Sequence, residues 1–297
     1  MLAAVLSDLH LGMRSGADLL RRADVRARLF EGIADADELV LLGDSIELRD
    51  DRLAASFTVA LPFFEALGEA LGGRRVTIVP RNHDHRLVEE ALRRTGALGL
   101  EQRFEVKQGD ALEPLMRALG DTPVELAYPG VWLRPDTYAT HGHYLDCHSA
   151  ARTFECRARA VVERVRRLPP DGYRAPRDYE AALAPIYRLI HWSIQRGGVR
   201  AAALGAKALV RRWERPHSDR GARAELAIAA MREVVGNLGV DARHVVFGHM
   251  HVPGRWECPG SIELVNAGSW VEAPGSVSPG TCVLVPDEGP PRLEALI

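Results

Sequence analysis

The sequence predicts an α/β protein whose chain is interrupted by a helical insertion. Three observations carry this. Short apolar runs of strand length alternate with stretches of helical spacing. Five of those runs end in clusters of Asp, Asn and His. From about residue 149 to 235 the strand signals stop, and they resume at 244. The expected organisation is a core of residues 1–148 and 236–297, with 149–235 forming a helical cap inserted within it.

Residues 2–6 form the first apolar run, and Ser7-Asp8-Leu9-His10-Leu11-Gly12 follows. Alternate residues of an extended segment point to one side, so a carboxylate oxygen of Asp8 and a ring nitrogen of His10 can converge. That donor pair suits a divalent metal of intermediate hardness, although Asp-x-His is also a common polar turn. Residues 17–32 carry Leu20, Ala23, Ala27 and Phe30 at helical spacing, as a surface helix packed on a sheet does. A second strand over 38–42 ends in Gly43-Asp44-Ser45-Ile46-Glu47. Open α/β sheets place their sites at such carboxyl ends, and Asp44 also reads as a helix N-cap.

Residues 53–71 read as a helix, kinked or interrupted at Pro62. A third strand over 76–79 runs into Pro80-Arg81-Asn82-His83-Asp84-His85. Residues 86–95 have helical spacing, whereas 102–126 are ambiguous. Strands over 131–133 and 138–140 follow, the second ending at His141-Gly142-His143. The helical stretch has breaks at Pro169-Pro170-Asp171-Gly172, Gly197-Gly198 and Arg215-Pro216. Strands over 244–247, before Gly248-His249-Met250-His251, over 262–265, before Asn266-Ala267-Gly268-Ser269-Trp270, and over 281–285 complete the sheet.

Composition is that of a folded globular protein: 297 residues, 46% hydrophobic, net charge −2. The basic residues are nearly all Arg, with Lys107 and Lys207 the lysines. Cys147, Cys156, Cys258 and Cys282 contain no C-x-x-C pair and predict no disulfide framework. Asp8 lies too near the start for a cleaved leader, and no apolar run is long enough to span a bilayer. The expectation is a cytoplasmic protein, with surface attachment to a membrane left open.

The clusters Asp8/His10, Asp44, Asn82/His83/Asp84, His141/His143 and His249/His251 occur in one order along residues 8–251. Together they resemble the calcineurin-like metallophosphoesterase superfamily, with its motifs D-x-H, G-D, G-N-H-D/E, a lone His and G-H-x-H. The resemblance implies a four-layer αββα sandwich and two divalent ions, manganese first, with iron or zinc as alternatives. One ion would be held by Asp8, His10, Asp44 and His251, the other by Asp44, Asn82, His141 and His249, with Asp44 bridging. Such ions lower the pKa of a shared water to give hydroxide, which attacks a phosphate ester. His83 would contact the phosphate and protonate the leaving oxygen, with Asp84 orienting its ring. His143 would bind phosphate or support a ligand. Arg81 stands where the family usually has Gly and could add a phosphate contact. His85, His148, His191, His217 and His244 match no motif and are expected to have surface or packing roles.

The insertion carries 18 basic and 9 acidic residues, a net of +9, against −11 for the rest. This asymmetry predicts a cationic cap beside an acidic core. Leu183, Ile186, Tyr187, Ile190 and Ile194 line one helix face. Val199, Ala203, Ala206, Val210 and Trp213 line another, flanked by Arg196, Arg200, Lys207 and Arg211. Such stripes usually pack into a core; alternatively they form an amphipathic cap for a lipid-like substrate or an anionic membrane. Arg200 and Arg211 are candidate contacts for an anionic phosphate-ester substrate.

A helical insertion at this point also resembles bacterial UDP-2,3-diacylglucosamine pyrophosphatases, although those commonly have Arg where His83 stands. A nuclease with a backbone-tracking basic cap is a further reading, weakened by few aromatics arranged for base stacking. A silent scaffold would have lost ligands or the acid, and this chain keeps both.

Overall fold

In the computed structural model the described residues are 1–48, 53–80, 83–94, 98–106, 109–148, 172–195, 220–272 and 278–297. The chain divides into two compact units. One comprises residues 1–142 and 241–297, the other residues 143–240.

The first unit is built on β1 (Ala3–Leu6), β2 (Glu38–Leu41), β3 (Arg75–Ile78), β4 (Glu101–Phe104), β5 (Val124–Arg134), β6 (Thr137–Thr140), β7 (His244–Phe247), β8 (Gly254–Cys258), β9 (Ile262–Asn266), β10 (Thr281–Val285) and β11 (Arg292–Ala295). Helices α1 (Ala23–Gly32), α2 (Leu53–Leu71), α3 (Glu89–Arg94) and α4 (Glu113–Ala118) lie between these strands. The hydrogen-bonded order is β11-β10-β1-β2-β3-β5-β6-β7-β9-β8, with β4 on β5. Strand β5 joins two halves, one centred on β1–β3 and the other on β6–β9.

Period-2 alternation assigns each side chain to a layer. Ala3 and Val5, Val40 and Leu42, Val131, Ala139, Val246, Val265 and Val283 form one apolar cluster between the two halves. Their neighbours Ala4 and Leu6, Leu39 and Leu41, and Val76 and Ile78 join a second cluster with Leu29 of α1 and Phe63, Phe64 and Leu67 of α2. Burial on both faces explains why β1–β3 read as continuous apolar runs.

The pairs β1–β2 and β2–β3 are parallel, with Leu6 opposite Leu41 and Leu41 opposite Ile78. The loops after the three strands therefore emerge level with one another. In the other half β6 and β7 are parallel, with Thr140 opposite Phe247. All five polar clusters thus follow carboxyl ends of parallel strands.

Local differences from the expected elements have physical causes. The helix expected from residue 17 starts at Ala23, after a 3-10 turn at Leu19–Arg21. Asp18 lies ahead of it, accepting from the Gly12 N–H at 2.9 Å and pairing with Arg21 Nε at 2.6 Å. Helix α2 continues through Pro62. The ambiguous stretch contains β4, α4 and the start of β5. Pro129-Gly130 inside β5 reads as a turn signal, which conceals the strand.

In the second unit the described helices are α5 (Pro176–Gln195) and α6 (Arg220–Leu238). Leu183 and Ile186 of the first expected apolar stripe are buried. The second stripe, with Arg200 and Arg211, lies outside the described residues. Among the described residues no helix is long and apolar enough to cross a membrane.

Candidate metal centre

The ligand loops are held in register by their own backbones. Asp8 N–H donates to Gly43 O at 3.2 Å, His10 N–H to Asp44 O at 2.8 Å, and Gly248 N–H to His141 O at 3.0 Å. Two glycines make room for this. A Cβ on Gly43 would lie 2.5 Å from the His141 ring, and one on Gly248 would lie 1.8 Å from Ser7 Oγ and 2.4 Å from Asp8 Oδ2. Among the described residues, seven non-glycine residues have positive φ. Asp8, His10, Asp44, His249 and His251 are five of them, at +46° to +68°. Side chains other than glycine seldom adopt this conformation, so its concentration here makes this edge the candidate functional site.

On one side of Asp44, Asp8 Oδ1, His10 Nε2 and His251 Nε2 converge. The two ring nitrogens are 3.2 Å apart. Asp8 Oδ1 lies 3.1 Å from His251 Nε2 and 3.8 Å from His10 Nε2. Asp44 Oδ2 lies 3.6 Å from His10 Nε2 and 3.6 Å from His141 Nε2, so one oxygen faces both sides. His249 groups with Asp44 and His141 on the second side.

The donor set fits divalent cations. Asp8 Oδ1 is buried and receives no well-formed hydrogen bond. Ligands bound at about 2.0–2.3 Å around a tetrahedral ion are roughly 3.3–3.8 Å apart, close to the spacings found here. Outer contacts fix the ring orientations. His141 Nδ1 lies 2.9 Å from the Leu42 carbonyl, which makes it the protonated nitrogen and leaves Nε2 facing Asp44. Asp8 Oδ2 accepts from His249 N–H at 2.8 Å and lies 2.5 Å from Ser7 Oγ.

Glu47 is a candidate site residue that sequence reasoning missed. Its Oε2 lies 2.6 Å from His83 Nδ1 and 3.2 Å from His10 Nδ1. Its backbone is tied by Glu47 N–H to Leu11 O and by Ser56 Oγ to Glu47 O. This corrects the expectation for Asp84. The carboxylate on the His83 ring is Glu47, whereas Asp84 Oδ2 accepts from the Ser45 N–H at 2.8 Å. The signal was present as a carboxylate three residues after Asp44 on the same loop.

His83 N–H donates to Asp44 Oδ1 at 2.8 Å, and its Nε2 lies 3.9 Å from Asp44 Oδ2. Its side chain is 22% exposed, against 2% for Asp44. His83 also groups with His10 and Asp44 as a possible metal-holding set. Asn82 and Arg81 lie outside the described residues. His143 begins the second unit, fully buried, with its ring 4.4 Å from that of Tyr144, and belongs to none of the groups. Of the motif-free histidines, His85 and His244 are buried. His148 bonds Tyr179 Oη at 2.9 Å in the second unit.

Electrostatics follow from crowding these groups together. Burial opposes ionisation of Asp8, but the His251 and His141 imidazoles hold its carboxyl below the usual range. Burial likewise opposes ionisation of Asp44 and Glu47, and both are held low by His83 and neighbouring imidazoles. Burial disfavours charge on His10, yet Glu47, Asp44 and Asp8 outweigh it and raise its pKa to about 9.

The sign of the pH dependence follows for metal-free protein. The His10 contribution is fully present below its unfolded pKa of about 6.5 and is lost as pH rises through about 9. The carboxylates contribute above about pH 4 and lose that contribution in acid. Thermal unfolding in chelator should therefore give a Tm that falls between pH 6.5 and 9; a flat or rising Tm there would contradict the charge balance.

An edge of parallel strands carrying carboxylates and imidazoles at metal-ligand spacing defines a candidate metal centre on an α/β fold. Residues 1–253 match the family model described as calcineurin-like phosphoesterase, and the chain belongs to that family. It is accordingly a metal-dependent hydrolase of phosphoester bonds, with a phosphate ester as substrate. No curated protein matches the chain.

Among solved structures, a predicted phosphoesterase from Streptococcus pneumoniae is 16% identical, with TM-score 0.29 over 96% of this chain and 83% of that one. A dimetal phosphatase from Danio rerio is 15% identical, with TM-score 0.44 over 97% and 93%. A nuclease, MPE of Pseudomonas putida, is 20% identical, with TM-score 0.29 over 47% and 53%.

Proposed function

We propose that this protein hydrolyses a phosphate ester with two divalent cations, manganese first, held as the motifs imply. Asp8, His10, Asp44 and His251 would hold one, and Asp44, Asn82, His141 and His249 the other. The observation that carries this is the placement of Asp44 Oδ2 at 3.6 Å from both His10 Nε2 and His141 Nε2. When bound, the cations supply an acidified water and neutralise charge developing on the phosphoryl oxygens.

The chain's own residues do the remainder. Asp44 brings an anionic oxygen between the two ligand sets and braces the His83 backbone through its other oxygen. Glu47, ionised in its buried setting, accepts from His83 Nδ1–H and so keeps the second ring nitrogen on the Asp44 side. From that position the doubly protonated ring contacts the phosphate and donates its Nε2 proton to the leaving oxygen, while Nδ1–H stays on Glu47. Asp84 supports this geometry indirectly by anchoring the Ser45 backbone.

A second reading, a lipid-bearing nucleotide-sugar pyrophosphatase, is favoured by the long helical insertion between His141 and His249. His83 stands against it, because those enzymes commonly have Arg there. Burial of Leu183 and Ile186 favours core packing for that part of the first stripe over a lipid-facing surface. Arg81, His143, Arg200 and Arg211 remain proposed substrate contacts.

The test is metal content per chain together with turnover of p-nitrophenyl phosphate and its bis-ester. A panel of nucleotides, nucleotide sugars, phospholipids and DNA with manganese then follows. About two metals per chain with turnover supports the proposal; metal-free, inert protein after manganese loading would reject it.

A further inference from the structure

We infer that Asn266 is a positioning residue that sets the metal affinity of the centre, an inference that rests on the two-cation reading above. Asn266 ends β9, is fully buried, and pairs across the sheet with Phe247, the residue just before the G-H-x-H turn. Its side chain uses both ends. Nδ2–H donates to the Gly248 carbonyl at 2.6 Å, and Oδ1 accepts from the Gly268 N–H at 2.9 Å. The same Gly248 carbonyl accepts from the Met250 N–H at 2.8 Å, so Asn266 grips the turn that carries His249 and His251.

The loop that Asn266 opens also reaches the first motif. Trp270 N–H donates to the Asp8 carbonyl at 3.0 Å, and Leu19 N–H donates to the Trp270 carbonyl at 2.9 Å. Trp270 is itself pinned, with its indole N–H donating to Thr281 O at 3.1 Å. Thr281 Oγ donates to Ala267 O at 2.6 Å. One five-residue loop therefore holds the backbones of both strand-end turns that supply Asp8, His249 and His251.

These turns need such a hold. Asp8, His249 and His251 sit at φ of +55°, +68° and +56°, a conformation costing an L-residue roughly 1–2 kcal/mol. Left unbraced, the turns would relax toward ordinary φ and swing the donor atoms apart. A binding constellation tolerates only about 0.5 Å of such drift. The Asn266 side chain bonds backbone groups of the Gly248 turn and of Gly268, not a ligand side chain, so its effect should fall on metal affinity more than on turnover.

The test is Asn266→Asp, which keeps the acceptor for Gly268 and removes the donor to Gly248. Titration calorimetry of metal-stripped protein with manganese should show affinity weakened roughly 10–100-fold, the usual effect of losing an outer partner of a metal site. At saturating manganese, kcat should change less than affinity does. Thr281→Val loosens the same loop from its other side and should weaken affinity roughly 2–10-fold, as for one lost neutral hydrogen bond; it decides the matter if Asn266→Asp does not fold. Folded variants that bind manganese as wild type does, even at lower Tm, would overturn the inference. Wild-type protein that binds no manganese would overturn the two-cation reading and this inference with it.

Discussion

Asp44→Ala should lose both metals and nearly all hydrolytic activity, the largest effect of any single substitution in this protein. Its Oδ2 lies 3.6 Å from a ring nitrogen on each side, and its Oδ1 holds the His83 backbone. Removing it takes one anionic oxygen from both ligand sets and also releases the proton donor. The four imidazoles of His10, His83, His141 and His251 would then face one another with less negative charge among them. The fall should exceed the about 10²–10³ that removal of a single charge-stabilising donor costs. Metal analysis of purified protein checks the first half and aryl phosphate turnover the second. Retention of one metal per chain would show that Asp44 serves one side alone.

His83→Ala should keep both metals and lose roughly 10²–10⁴ in rate, the usual contribution of a positioned proton donor. His83 is 22% exposed, and its Nδ1 is held by Glu47 Oε2 at 2.6 Å. Glu47→Gln should move in the same direction, because a neutral amide no longer offsets the charge of the doubly protonated ring that the acid role requires. It should also weaken metal binding modestly, since Oε2 serves His10 as well. A leaving group of low pKa needs little protonation, so the loss in His83→Ala should shrink as the aryl leaving group becomes more acidic. Equal loss across leaving groups would remove the acid role. Metal loss in His83→Ala would instead make His83 a ligand, as its grouping with His10 and Asp44 permits.

The strands and their terminal clusters were legible because β1–β3, β6 and β7 are largely buried and leave short, mainly apolar runs. Asp8, His10, Asp44, His141, His249 and His251 were legible for the same reason: each directly follows such a run. The orienting carboxylate was not. Asp84 is adjacent to His83 in sequence, but with φ of −109° and ψ of 15° it turns to the Ser45 N–H. Glu47 comes from the neighbouring loop, and only the parallel register of β2 and β3 brings it to His83. Only the last part of strand β5, read as a strand over 131–133, was legible; Pro129-Gly130 hid the part before it. Strand β8 was missed because alternate residues of an edge strand stay exposed, which dilutes the apolar signal. The charge asymmetry of the insertion remains a proposal about substrate, as Arg200 and Arg211 lie outside the described residues.

The left-handed bends at Asp8, His10, Asp44, His249 and His251 amount to a trade-off between stability and function written into the backbone. Each position would be more comfortable as glycine, which adopts that conformation without steric penalty. At all five, glycine would lower the backbone cost of the bend, but at Asp8 and Asp44 it would also strip acceptors from the His249 and His83 N–H groups. The side-chain donors and acceptors argue for the present residues, and the bends themselves do not. A glycine at any of the five would therefore remove a proposed ligand while relaxing the local backbone, and an alanine would remove it while keeping the strain. The glycine and alanine versions of one position differ in backbone strain and share the lost ligand, which separates what the fold gives up from what the metal requires.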